Sequence, residues 1–209
     1  QLFKMLEQAQ KEGIKKIRIH LILDGRDVPP QSADHYIELL EDKIADLAKH
    51  SDLPLDYRIA SGGGRMHFLA DRYEADWNIG WDAMVYGKAS QYFTSAMQAI
   101  QENRKKEPGL QDQYFPSFVI TEPDADGHPD QSHPVGLVKD GDSFIFYSFR
   151  ADRAIETAKA INIPPDHNIL HTVVQEYIID NQPGVKEPIG MSGVRLDTRV
   201  HIITGANTA

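Results

Sequence analysis

Cysteine is absent from all 209 residues. That excludes a disulfide scaffold, a thiolate zinc site, an iron–sulfur centre and a cysteine nucleophile within this chain. It also fits a reducing compartment, and a cytoplasmic location is expected. Long apolar runs are missing too. None approaches the ~20 residues of a membrane-crossing helix, so no membrane partner is expected. Positive charge is scarce: 22 Lys and Arg stand against 31 Asp and Glu, for a net charge of −9. Such a balance argues against a nucleic-acid partner, because phosphate backbones attract basic surfaces. Internal repeats and low-complexity tracts are lacking as well. What is present is ordinary for a globular chain: 41% hydrophobic and 25% charged residues, enough to fill a core. The first residue is Gln, and Gln1 to Lys11 reads as an amphipathic helix and not as a signal peptide. The chain therefore reads as part of something longer.

Hydrophobic spacing lays out an alternating order of elements. Leu2, Phe3, Leu6 and Ala9 share a helical face, and Gly13 ends that helix. Ile14 to Leu23 reads as a buried strand and runs into the turn DGRDVPP. Ser32 is placed to cap a helix from Ala33 to about Lys49, with Ile37, Leu40, Ile44 and Leu47 as its inner stripe. Leu55 to Ile59 reads as a second strand that enters the glycine triplet of SGGGR. Ser90 to Lys106 reads as a helix, Phe115 to Thr121 as a strand, and Glu122 to Pro134 as a polar loop. Val135 to Leu137 and Ser143 to Tyr147 suggest paired strands about the turn KDGD. Phe149 to Ala160 reads as a helix. Ile169 to Ile179 and Val194 to Ile203 are candidate strands. This rhythm predicts an α/β fold, a three-layer α/β/α domain with a largely parallel or mixed sheet. Residues 1–162 form the domain, and 163–209 its C-terminal continuation.

The few arginines are unusually placed. Arg26 in DGRD, Arg65 in SGGGR, Arg72 in ADRY, and Arg150 with Arg153 in FRADR lie where strands end or helices begin. Guanidinium groups bind carboxylate and phosphate through two parallel hydrogen bonds. Glycines beside Arg65 would let a ligand approach backbone N–H groups. An acidic chain with such loci points to a small anionic ligand. The plain alternative is that Asp24, Asp27, Asp71 and Asp152 pair with these arginines as ordinary salt bridges. Asp24 reads as a turn cap. Asp27, followed by Val28-Pro29-Pro30, is a candidate general base held over a pocket. His20 reads as a core histidine, and Trp77, Trp81 and Tyr73 as a packed cluster. No histidine–carboxylate set has convincing metal spacing, His167 and His171 included, so no metal is expected in this chain. SGGGR lacks the Lys-Ser/Thr of a phosphate-binding P-loop.

Four segments together carry a resemblance: HLILDGRDVPPQSA, IASGGGRMHFLADRYEADW, DQYFPSFVI and FRADRAIE. The chain resembles the substrate-binding, or phosphotransferase, domain of cofactor-independent phosphoglycerate mutases of the alkaline-phosphatase superfamily. SGGGRM with DRY is similar to the plant and trypanosomatid branch. The resemblance covers Gln1 to about Ala160. It implies an isomerase that interconverts 3-phosphoglycerate and 2-phosphoglycerate in glycolysis, through a phosphoserine on a companion phosphatase-like domain. Two divalent ions, usually manganese, would sit on that companion domain. It further implies that Arg26 and Asp27 hold the glycerate, with Asp27 exchanging protons with its hydroxyls. Arg65 and Arg72 would bind the carboxylate or hydroxyl side, and Arg150 and Arg153 the phosphate, with Asp152 orienting them. The nucleophilic serine and the metal ligands have no counterpart here, so the chain alone is expected to be inactive. Tyr147-Ser148 replaces the usual asparagine-containing approach to FRADR. Two other readings stay open. One is a stand-alone arginine-lined binding module for a small phosphorylated acid. The other is a metal phosphoesterase using Asp24, Asp27 and His20.

Overall fold

The computed structural model describes residues 2–68, 78–139, 142–147 and 199–203. The chain falls into two compact units, one comprising 1–70 with 75–137 and the other 71–74 with 138–209. In the first unit, helix α1 (Leu2–Lys11) leads into strand β1 (Lys16–Leu23), helix α2 (Ala33–Lys49) and strand β2 (Asp56–Gly64). Short helix α3 (Asn78–Trp81) widens into a π turn over Asp82–Tyr86. Strand β3 (Gln91–Phe93), helix α4 (Ala96–Lys106), strand β4 (Phe118–Pro123) and strand β5 (Pro129–Pro134) complete it.

The sheet order is β1-β2-β4-β3, with β5 paired to β4. β1 and β2 run parallel, as do β3 and β4, whereas β2 and β4 are antiparallel. The sheet is thus mixed, within the α/β class the pattern predicts. Apolar side chains of α1, α2 and α4 (Leu6, Ile37, Leu40, Leu47, Ala99 and Ile100) form one core with Tyr57, Ile59, Phe118 and Ile120 of the sheet. Strand side chains alternate faces, and Val119, Phe68, Ala83 and Met84 are buried outside that cluster.

The bounds of α2 match the expected helix, but its N-terminus is held differently. Ser32 makes no capping bond. Its hydroxyl donates instead to the Pro29 carbonyl, and the N–H groups of Ser32 and Ala33 donate to Asp112, about 80 residues along the chain. The second strand also runs farther than expected, through the whole glycine triplet. A Cβ at Gly62 would come within 2.7 Å of the Phe118 ring, and one at Gly63 within 3.0 Å of Phe68. At Gly64 it would overlap the backbone of Gln113 and Phe115. These glycines therefore let strand β2 pack closely against protein, not against a ligand.

The expected helix from Ser90 begins at Ala96 instead, because Ser95, not Ser90, accepts the N–H of Gln98 and Phe93 belongs to β3. The polar segment expected as a loop folds back as β5. Val135 donates its N–H to Ile120, so it extends that hairpin. In the second unit, strand β6 (Ser143–Tyr147) pairs in parallel with strand β7 (Arg199–Ile203). The expected partner, Val135 to Leu137, is engaged elsewhere. The expected helix over 149–160 and the candidate strand over 169–179 lie outside the described residues.

Candidate functional site

Parallel register brings two of the arginine loci together. Leu23 at the end of β1 pairs with Gly64 at the end of β2. The next residues, Asp24 and Arg65, therefore leave the sheet side by side, and Arg65 N–H donates to the Leu23 carbonyl at 2.9 Å. The carboxyl ends of adjacent parallel strands are where open α/β sheets place their ligands. The Arg65 side chain is 7% exposed, and its Nη1 lies 2.6 Å from Asp24 Oδ1 and 3.6 Å from Asp27 Oδ2. The other oxygen of Asp24 accepts the Asp27 backbone N–H at 3.0 Å, so Asp24 closes the DGRD turn as its sequence suggests. Gly25 takes φ +60°, a left-handed conformation that glycine tolerates. A Cβ there would lie 2.9 Å from that of Asp112.

The turn leaves the neighbouring side chains presented outward. Asp27 keeps 63% of its side chain exposed. Arg26 is exposed and makes no hydrogen bond or ion pair among the described residues. An unneutralised guanidinium beside a fixed carboxylate suits an anionic ligand that also carries hydroxyls. It does not suit a divalent cation, because Arg65 already supplies positive charge between Asp24 and Asp27. Arg72, Arg150, Asp152 and Arg153, together with Tyr73, Trp77, His167 and His171, lie outside the described residues. Trp81 is buried.

His20, read as a core histidine, is half-buried on β1 and hydrogen-bonded there. Its Nδ1 is 2.7 Å from the hydroxyl of fully buried Ser61. Desolvation, aided by the nearby Arg18 charge, lowers its pKa from 6.5 to about 4. It is therefore neutral at pH 7 and supplies no charge to an anion. The unfolded chain binds a proton between pH 6.5 and 4 that the folded chain refuses. Stability is accordingly complete above pH 6.5 and falls as the solution is acidified through that window, by of order 2–3 kcal/mol. Urea unfolding at pH 7 and pH 4.5 measures the fall. His20→Gln reduces the difference, and an undiminished difference in that variant assigns it to other groups.

One residue of the site was not legible in the sequence. Asp112, on a 3₁₀ turn (Asp112–Tyr114), is 1% exposed. Its Oδ2 accepts the N–H groups of Ser32 and Ala33 at 2.7 and 2.8 Å. Its Oδ1 accepts Nη2 of Arg104 at 2.6 Å. Arg104 also reaches Asp34 at 3.0 Å. Burial opposes the Arg104 charge, but Asp112 and Asp34 outweigh it and hold its pKa above the ordinary value. For Asp34, likewise, burial is outweighed by Arg104 and a backbone N–H, and its pKa is lowered. The only hint in the sequence is an acidic residue heading the apolar stretch DQYFPSFVI. On the β4–β5 turn, Asp124, Asp126 and His128 offer oxygen and nitrogen atoms all within 4.8 Å of one another. Sequence spacing did not single this cluster out. All three residues are exposed, and their arrangement is that of a polar turn, with Asp124 accepting the N–H groups of Asp126 and His128.

Comparison with known proteins shows the family. A family described as the BPG-independent PGAM N-terminus matches residues 1–181. A probable 2,3-bisphosphoglycerate-independent phosphoglycerate mutase of Leptospira interrogans is 42% identical over 184 residues, covering 83% of this chain and 31% of that protein. The Trypanosoma brucei brucei protein named 2,3-bisphosphoglycerate-independent phosphoglycerate mutase is 40% identical over 77% of this chain and 28% of its own length. A crystal structure of Leishmania mexicana phosphoglycerate mutase, at low cobalt concentration, superposes with a TM-score of 0.68 at 30% identity, covering 96% of this chain and 31% of that one. The chain thus spans about a third of the length of these relatives.

Proposed function

This chain belongs to the BPG-independent phosphoglycerate mutase N-terminal family, and from that premise we propose that it is the glycerate-holding part of a mutase interconverting 3-phosphoglycerate and 2-phosphoglycerate. The observation that carries the reading is the side-by-side emergence of Asp24 and Arg65 from parallel strands, which presents Asp27 and Arg26 outward at one sheet edge. A companion phosphatase-like domain would supply the serine that takes the phosphoryl group, and two divalent ions held there, manganese as the family resemblance implies, would supply charge stabilisation of that group. In this chain, Arg26 and Arg65 hold the glycerate, and Arg72 adds to them. Arg150 and Arg153 hold the phosphate, with Asp152 orienting both. Asp27 gives a proton to the oxygen that the phosphoryl group leaves, and takes one from the hydroxyl that receives it, so its own state is restored each cycle. Retaining glycerate between the two transfers requires several fixed contacts, since its loss would turn a mutase into a phosphatase. The proposed reaction is one of glycolysis, and a cytoplasmic location is proposed with it.

Calorimetric titration of 3-phosphoglycerate into this chain tests the reading. Weak saturable binding is expected, reduced at least tenfold by Arg150→Ala combined with Arg153→Ala. Undiminished affinity in the double variant would remove these arginines from the anion site. Absence of binding in the unsubstituted chain would overturn its role as the holder of the glycerate.

A further inference from the structure

The 3₁₀ turn at Asp112–Tyr114 touches both loops of the site. On one side, Asp112 accepts the two N–H groups that open α2, and its own N–H donates to the Pro30 carbonyl at 2.7 Å. That ties down the end of the segment DGRDVPP, while Gly25, at the start of the same segment, packs against the Asp112 Cβ. On the other side, the Gln113 carbonyl accepts Met66 N–H at 3.0 Å, and the Phe115 carbonyl accepts Gly64 N–H at 2.8 Å. These two bonds bracket Arg65. The turn is itself anchored, because Phe115 is fully buried and stacks edge-on against Phe118 of β4 with ring centroids 6.4 Å apart. Asp112 therefore sits between the loop that carries Arg26 and Asp27 and the loop that carries Arg65, bonded to backbone on the first and one residue from the bond to the second.

We propose that Asp112 is a positioning residue for the anion site: its buried carboxylate, charge-balanced by Arg104, sets the separation of the Arg26–Asp27 turn from Arg65. It touches no substrate and acts only through the two loops. A productive site holds its groups to a fraction of an ångström; the Arg65 N–H bond to the Leu23 carbonyl and the Arg65–Asp24 ion pair join the two loops directly, and the Asp112 turn braces both from behind. The proposal rests on the function inferred above for its ligand, but its geometry can be read without one.

The test uses this 209-residue chain, isotope-labelled, with 3-phosphoglycerate as the probe. Asp112→Asn keeps the shape of the side chain and loses its charge. Its expected result is a retained fold, shifted amide resonances for Arg26 and Asp27, a shifted side-chain resonance for Arg65, and affinity at least tenfold weaker. Leu47→Ala, a core truncation near the far end of α2, is the comparison for general destabilisation and should leave affinity within twofold. Equal weakening by Leu47→Ala would reduce Asp112 to a structural residue and overturn the proposal. So would unshifted loop resonances in Asp112→Asn. Should Asp112→Asn not fold, Arg104→Gln takes its place, with the same shifts and at least a threefold loss expected, and unchanged loops again fatal. If the unsubstituted chain binds no 3-phosphoglycerate, the ligand assignment fails alone, and the loop resonances still decide the positioning role.

Discussion

Asp27→Asn in the complete mutase is expected to lower turnover by about 10²–10⁴-fold with little change in KM. The amide has nearly the shape of the carboxylate and can still accept a hydrogen bond from a glycerate hydroxyl. It cannot take up and return a proton at neutral pH. The structure separates this effect from folding. Asp24, not Asp27, closes the turn, by accepting the Asp27 N–H and pairing with Arg65. The Asp27 side chain is 63% exposed and 3.6 Å from the nearest Arg65 nitrogen, so its loss from the folded protein costs little. Steady-state rates with 3-phosphoglycerate, alongside thermal unfolding of the same variant, make the distinction. Unimpaired turnover would remove the proton-transfer role and leave Asp27 a positioning group.

The parts of this site that were legible in the sequence are the local ones. Helix α2, expected from Ala33 to about Lys49, was readable because Ile37, Leu40, Ile44 and Leu47 repeat at helical spacing. DGRD was readable as a turn, and Asp24 as its cap, because Asx geometry needs only the neighbouring residues. What escaped was non-local. Nothing near Ser32 indicates that its helix is capped from Asp112, and nothing near Ser143 to Tyr147 names Arg199 to Ile203 as the partner strand. The glycine triplet was misread for a related reason. Three glycines before an arginine suggest an open backbone waiting for a ligand, but what fills the space is Phe118, Phe68 and the Gln113–Phe115 backbone. The arginine beside them remains part of the site, so the glycines serve it indirectly, by letting a buried turn approach closely enough to hold its loop.

In the proposed function Arg65 both pairs with Asp24 and holds the ligand, so its substitution should register in both stability and affinity. Arg65→Ala removes a guanidinium that is 7% exposed from an Asp24 carboxylate that is 33% exposed. Water reaches Asp24 and replaces part of the lost bond, so the expected destabilisation is about 1–3 kcal/mol, below that for a fully buried pair. KM for 3-phosphoglycerate in the complete enzyme should rise at least tenfold. Arg65→Lys separates the two contributions. An ammonium restores charge next to Asp24 and recovers part of the stability, but it lacks the planar fork that can bond Asp24 and an anion at once, so KM stays high. Urea unfolding and KM measured on both variants decide the matter. If lysine restores KM, Arg65 acts as a point charge only; if alanine leaves KM unchanged, Arg65 is a structural pair for Asp24 and does not bind the glycerate. A double-mutant cycle with Asp24→Asn closes the test, because residues in one hydrogen-bonded network couple by about 0.5–3 kcal/mol. Coupling smaller than that would mean that Asp24 shapes the turn independently of the arginine it faces.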